Sequence, residues 1–213
     1  MNSTKNLIFV SLGLYFGLSL LLVSITSHSI LTIKFFENSN EYLSGIPGQE
    51  TGIYNSLQKY LYLSNILYGI FKLILIALII NMGLYLSNVN VAFGKTFLIT
   101  VLCEFIFLVP AIIKIFWFKH YYPNGTLTDW HRVYILSALS LVDKVPVDWY
   151  YPLQTLNVFE VIYWFLLAFG IKKISKLNFD QSLRIVVLSY LPALFVWIAF
   201  ISFCTVILSP GNA

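Results

Sequence analysis

Four ionisable side chains stand where ionisable side chains are costly. Lys72, Glu104, Lys114 and Glu160 lie within or near unbroken apolar runs, and an unpaired charge at the middle of a bilayer costs about 2.5–3.5 kcal/mol. Two kinds of chemistry account for such residues. Lys72, Glu104 and Glu160 can form an intramembrane polar cluster that binds a proton, a cation or a headgroup, as a small-solute or ion transporter would need. Alternatively, oppositely charged members pair to fix helix register, and Lys114 snorkels to the outer surface. A proton pathway needs polar groups leading to both faces, and the lower half of the expected bundle lacks them, which favours pairing.

Other chemistry finds little support. No H-E-x-x-H, G-x-S-x-G, P-loop or G-x-G-x-x-G pattern occurs, so the chain reads as non-enzymatic, with no catalytic residue and no cofactor. Cys103 and Cys204 lie in apolar runs without CxxC spacing or a histidine neighbour, and read as buried structural thiols. His28, His120 and His131 share no ligand spacing, so no metal is expected. Asp129, His131, Asp143 and Asp148 compose a carboxylate-rich outer-loop candidate, for which solvated loop charges are the simpler account. A field of Lys and Arg that would track nucleic acid is missing.

The elements that position these residues follow from composition. The 213-residue chain is 59% hydrophobic and 10% charged, with a mean hydropathy of +0.82, well beyond a soluble domain. Its apolar residues fall in runs of spanning length instead of period-2 or period-3.6 stripes. The runs cover 7–26, 61–86, 97–118, 156–171 and 185–208. They predict an all-α membrane protein of five transmembrane helices in a single membrane domain, with the lipid bilayer as its solvent. The first run is too long for a signal-peptide core and lacks a small-residue cleavage site, so it is expected to remain as a helix. Its Gly13 and Gly17 form a GxxxG, which permits close helix approach.

Orientation follows from the cations. Lys172, Lys173, Lys176 and Arg184 oppose only Asp180 in the last connection, and Lys95 lies in the tight turn after the second run. The positive-inside bias then places the N-terminus and both turns in the cytoplasm. The 27–60 and 119–154 loops and the C-terminus fall outside, in a bacterial inner membrane. Trp117, Tyr121, Tyr122, Trp149, Tyr150 and Tyr151 flank the third and fourth runs as an interfacial aromatic belt. Between them, 128–141 predicts an amphipathic helix capped by Thr128 or Asp129, in the outer interface or packed on the bundle.

An internal repeat runs through the second half. Residues 93–103 align with 179–189 at an offset of 86, with Phe, Ile, Val and Leu coinciding, Thr96 meeting Ser182 and Cys103 meeting Ser189. The preceding helices align at an offset of 88, where Phe71 meets Phe159 and Lys72 meets Glu160. Pro110 and Pro192 follow, one turn out of register. Helices two and four run one way and three and five return, so this is a parallel duplication of a helical hairpin about an axis along the membrane normal. At a rise of about 1.5 Å per residue, Lys72 lies roughly 24 Å from the cytoplasmic end, Glu160 roughly 18 Å, Glu104 roughly 14 Å and Lys114 roughly 29 Å. Lys72 and Glu160 hold equivalent positions with opposite sign, and the twofold is expected to bring them together near the axis.

The stretch L-N-F-D-Q-S-L-R-I-V-V-L-S-Y-L-P over 177–192 resembles the Ypt-interacting (Yip) family of membrane proteins. The likeness is to a G-x-[FY]-[KR]-x-[ST]-[LF]-[RK]-x-x-x-[YF] opening followed by a proline-containing helix, met here at Phe179, Ser182, Leu183 and Arg184 and departed from at Leu177, Asp180 and Leu188. It covers about forty residues and is architectural elsewhere. The resemblance implies five spans, a cytoplasmic N-terminus and a C-terminus across the membrane. Eukaryotic members carry a long cytosolic N-terminal region where this sequence has six residues before its first run. The resemblance is therefore to prokaryotic-type relatives, for which it implies no settled activity. The expected role is scaffolding or assisting a membrane assembly, with a membrane-protein partner or a second copy of the chain.

Single cysteines introduced into a Cys103→Ala, Cys204→Ala background test the orientation. At Asn2 and Ser175 they should be shielded from an impermeant thiol reagent until the membrane is opened, and at Ser44 and Asn212 they should label in intact cells. Labelling of Ser175 and Ser44 from one side is incompatible with five spans.

Overall fold

A computed structural model describes residues 2–38, 50–142 and 145–208. The Gly45–Gly48 segment, Glu41, Ser44, Asp143 and Asn212 lie outside them. The described residues form α1 (Asn2–Ser29), α2 (Ile33–Asn38), α3 (Glu50–Leu86), α4 (Phe93–Glu104), α5 (Leu108–Tyr121), α6 (Leu127–Arg132), α7 (Tyr150–Thr155), α8 (Val158–Ile174) and α9 (Phe179–Leu208). Among them there is no strand, only an isolated bridge between Ser137 and Asn157.

Four stretches are long and apolar enough to cross a membrane: Thr4–Ser29, Thr51–Leu86, Phe93–Tyr121 and Phe179–Ile207. Helices suit this setting because they satisfy backbone polar groups within one segment. The remaining apolar run is α8, of 17 residues, roughly 26 Å long against a hydrocarbon core of about 30 Å. Helix α3 begins at Glu50, so residues 50–60, expected as outer loop, extend the second apolar run by three turns.

Local chemistry sets the helix ends. Helix α3 stops in a Schellman motif: Val89 N–H donates to the Leu84 carbonyl at 2.9 Å and Asn88 N–H to that of Tyr85 at 3.0 Å. Asn88 takes the left-handed conformation (φ 58°), which asparagine tolerates better than most residues. The Asn81 amide clamps the turn, donating to the Val91 carbonyl at 3.3 Å and Thr96 Oγ1 at 3.2 Å. At the start of α9, Gln181 N–H donates to Asn178 Oδ1 at 2.9 Å, and Asn178 N–H to Gln181 Oε1 at 3.1 Å, a reciprocal capping box. Asn157 caps α8 by accepting from Glu160 N–H at 2.8 Å.

The third apolar run is not one straight helix. A 3-10 turn at Phe105–Phe107 separates α4 from α5. Pro110 stands in the first turn of α5, where its missing N–H costs least, and the tightening falls just before it. Pro192 lies inside α9.

The expected helix over 128–141 is much shorter. Helix α6 ends at Arg132, and its cap is Thr126, not Thr128 or Asp129. Asp129 Oδ2 accepts from Thr126 N–H at 2.8 Å, and Asp129 N–H donates to Thr126 Oγ1 at 3.3 Å. The chain then runs extended through Val133, takes a left-handed residue at Leu136 (φ 53°) and closes with a 3-10 turn at Ala138–Leu141. The loop ties to α8 instead of coiling, as Ala138 N–H donates to the Leu156 carbonyl at 2.8 Å and Val158 N–H to that of Leu136 at 3.1 Å.

Helix α4 packs on α1, α3 and α8, while α9 packs on α3 and α8. The main core joins Ile80 and Leu84 of α3, Ile99 and Cys103 of α4, Tyr163 and Leu167 of α8 and Val186 of α9. A second cluster joins Ile30, Phe35, Ile115, Phe118 and Val133 at the other end. Gly83 and Gly170 allow close helix approaches within the main core. A Cβ on Gly83 would meet Ser189 Cβ at 2.7 Å, and one on Gly170 would collide with Ile99.

Gly170→Ala should therefore lower stability by about 1–3 kcal/mol, the usual cost of overpacking, and Ile99→Ala should recover part of that loss in the double variant. Gly13 has no atom within 4 Å of its would-be Cβ, so Gly13→Ala should stay within about 0.5 kcal/mol of the parent. Thermal unfolding in one detergent measures all four proteins.

Candidate functional site

Three of the four charged residues singled out from sequence, Lys72, Glu104 and Glu160, converge where α3, α4, α8 and α9 meet, but the ion pair has a different membership. Lys72 Nζ pairs with Glu104 Oε1, not with Glu160. The Lys72 side chain is 29% exposed and that of Glu104 1%. The ammonium also lies 4.3 Å from the centroid of the Phe107 ring, where the π face favours a cation. The 3-10 turn after Glu104 carries that ring, so one short segment supplies both partners of the lysine.

Glu160 is satisfied within its own hairpin. Its Oε1 accepts from Tyr190 Oη at 2.8 Å and from Trp164 Nε1 at 3.0 Å. Trp164 stands one helical turn beyond Glu160, and Tyr190 projects from α9. The two polar bridges are joined by aromatic contacts: Phe107 lies 5.0 Å from Tyr163, and Tyr163 lies 5.7 Å from Tyr190, ring centre to ring centre. Sequence inspection missed Tyr163, Trp164 and Tyr190. Two signals were available: the i, i+4 spacing of Glu160 and Trp164, and the repeat offset of 86 that carries Glu104 onto Tyr190.

Two buried polar atoms in this region, Glu104 Oε2 and Tyr163 Oη, have no hydrogen-bond partner among the described residues. Tyr163 is 0% and Glu104 1% exposed. Such groups are rare in folded proteins. Chemically, the arrangement can hold charge and accept a hydrogen bond, but the described residues offer no nucleophile–base pair within it.

Lys114 does not simply snorkel to solvent. Its Nζ lies 4.2 Å from the ring centre of Trp130 and 4.2 Å from that of Tyr134, so the segment after α5 folds back over that helix and receives the ammonium between two π faces. Burial pushes the Tyr134 phenol above its ordinary value. Of the aromatic belt, Trp117, Tyr121, Tyr122 and Trp149 are exposed. Tyr150 and Tyr151 are partly buried, and Tyr151 Oη accepts from Trp197 Nε1 at 2.7 Å. Among the outer-loop acids, Asp129 serves the α6 capping box. No three His, Cys, Asp or Glu side chains among the described residues come together as a metal would require.

Removing one partner of a buried pair strands the other, typically at about 3–5 kcal/mol. Lys72→Met and Glu104→Gln should each destabilise the protein, and the double variant should recover much of the loss. In a thermal-unfolding cycle, Lys72 should couple to Glu104 by about 0.5–3 kcal/mol and to Glu160 by less. Stronger coupling to Glu160 would contradict the observed pairing.

No family model, curated protein or solved structure matches the chain.

Proposed function

We propose that this chain is a five-span, non-enzymatic membrane protein built on a duplicated helical hairpin, and that it scaffolds or assists a membrane assembly, as its resemblance to the Yip family implies. The observation that carries this reading is the fastening of the buried charges. Each hairpin closes with its own polar bridge, Lys72 to Glu104 between α3 and α4, and Glu160 to Tyr190 between α8 and α9. Lys72 and Glu160 are equivalent at the offset of 88, and Glu104 and Tyr190 at 86. The two bridges therefore occupy one position of the repeat, and they tie carboxylates to fixed donors instead of leaving them open for exchange.

Packing supports the duplication independently. Helices α3, α4, α8 and α9 contact one another in a closed ring, each hairpin laying its first helix on the second helix of the other. The glycine contacts fall on matching positions: Gly83 of α3 lies against Ile185 of α9, and Gly170 of α8 against Ile99 of α4. Ile99 and Ile185 are 86 residues apart, and Gly83 and Gly170 are 87 apart. A twofold along the membrane normal has α8 cross the membrane in the same direction as α3, diagonally opposite it in the ring, as a fifth span, with the basic turns cytoplasmic by the positive-inside bias. A bacterial inner membrane suits that charge pattern.

A second reading has one observation in its favour. The unpartnered Glu104 Oε2 and Tyr163 Oη are groups that an ion or proton carrier could employ. Proteoliposomes separate the two. Under the scaffold reading, the parent and Glu104→Gln proteins should show the same proton and alkali-cation leak as protein-free vesicles, while mild-detergent purification recovers a stoichiometric membrane partner or a homo-oligomer. Flux through the parent that Glu104→Gln abolishes, without loss of fold, would replace scaffolding with transport.

A further inference from the structure

The seam between α3 and α9 opens into a groove of about 710 Å³ at the end of the bundle that carries the tight turns. Its walls include Ile79, Met82 and Leu188, and its mouth carries Arg184, Gln181 and Ser87. Gly83 and Ser189, in close approach, form the floor. The groove does not stop there. A narrower cleft of about 60 Å³ continues along the same two helices, shares Ile79 and Ala193 with it, and ends among Phe71, Lys72 and Trp197. From Arg184 to Trp197 the helix rises roughly 20 Å, against about 15 Å for the hydrocarbon of one leaflet. A chain lying along the seam to Trp197 would thus place its polar end at Arg184.

Charge selects among chains. Arg184 is exposed, and neither Asp180, one turn earlier on α9, nor any other described carboxylate pairs with it. Lys172, Lys173 and Lys176 belong to the same end of the bundle. A guanidinium matches a phosphodiester with two parallel hydrogen bonds, where an ammonium offers a point charge. Basic residues beside a membrane surface gather anionic lipid. We infer that the α3–α9 groove binds an anionic phospholipid, with its phosphate on Arg184 and one acyl chain laid along the seam toward Trp197.

The test uses the full chain in detergent, offered equal amounts of phosphatidylglycerol and phosphatidylcholine with identical acyl chains, and native mass spectrometry to count retained lipid. The parent should retain phosphatidylglycerol over phosphatidylcholine by about fivefold or more, since one cation beside an anionic headgroup contributes about 1 kcal/mol. Arg184→Gln should bring that ratio near one. Leu188→Trp, at a position 65% exposed where a larger side chain has room, should lower retention of both lipids by filling the groove. Lys172→Gln with Lys173→Gln should leave the ratio in place, and inorganic phosphate should not displace the lipid. Equal retention of the two lipids by the parent overturns the proposal and leaves the groove to a partner helix. An unchanged ratio in Arg184→Gln overturns it, as does a ratio lost in the Lys172/Lys173 variant, which would mean diffuse surface attraction. Displacement by inorganic phosphate overturns it as well, because the site would then read an anion without its chain.

Discussion

Glu104 ends a helix that packs on three others, is 1% exposed, and is paired among the described residues with one opposite charge, Lys72. Water cannot help a carboxylate in that position, and isolated burial of the ion would cost several kcal/mol. Much of the bundle's geometry follows from meeting this demand. Helix α3 carries Lys72 to the level at which α4 ends, and a shift of register along the hairpin would separate the pair. The turn that joins them is correspondingly tight and closed by a Schellman motif, with Asn81 bonded across it. The segment following Glu104 tightens into a 3-10 turn, and the Phe107 ring covers the ammonium. A pairing that contributes little net stability against a hydrophobic substitute still discriminates strongly against every arrangement that separates its members.

The second hairpin solves the same problem with different chemistry. Where the first uses an ammonium and a carboxylate, the second uses a carboxylate with a phenol and an indole as donors. Charge is balanced in one and only hydrogen-bonded in the other. The donors and acceptors differ between the two hairpins, and in each a carboxylate on one helix is met by a side chain from the other.

Apolar content and run length made the helical class and the long spans legible, since both are sums over many residues. The charged residues were legible as a set, because Lys and Glu in an apolar run stand out singly. Their pairing was not. The alignment of Lys72 with Glu160 suggested a meeting on an axis, yet each residue finds its partner inside its own hairpin, Glu104 for Lys72 and Tyr190 for Glu160. Sequence contrast cannot rank those choices, which differ by a rotation of one helix about its axis. The 128–141 segment failed for another reason. Its apolar spacing suits a helix, but Thr126 and Asp129 set the cap two residues earlier, and backbone bonds to Leu136 and Leu156 draw the rest into an extended path toward α8. Tertiary pairing overrode periodicity there.

The 3-10 turn at Phe105–Phe107 divides one apolar run between two loyalties. On its near side, Ile99 and Cys103 belong to the core shared with α3, α8 and α9. On its far side, Ile115 and Phe118 belong to a smaller cluster with Ile30, Phe35 and Val133. Rotation at the turn lets each half present its apolar face to a different neighbour. Cooperative units of unfolding tend to follow such partitions, with small peripheral clusters opening at lower free energy than the main core. The polypeptide that looks in sequence like a single rod thus joins two separate clusters, a larger one shared by the four-helix ring and a smaller one built from loop and helix ends.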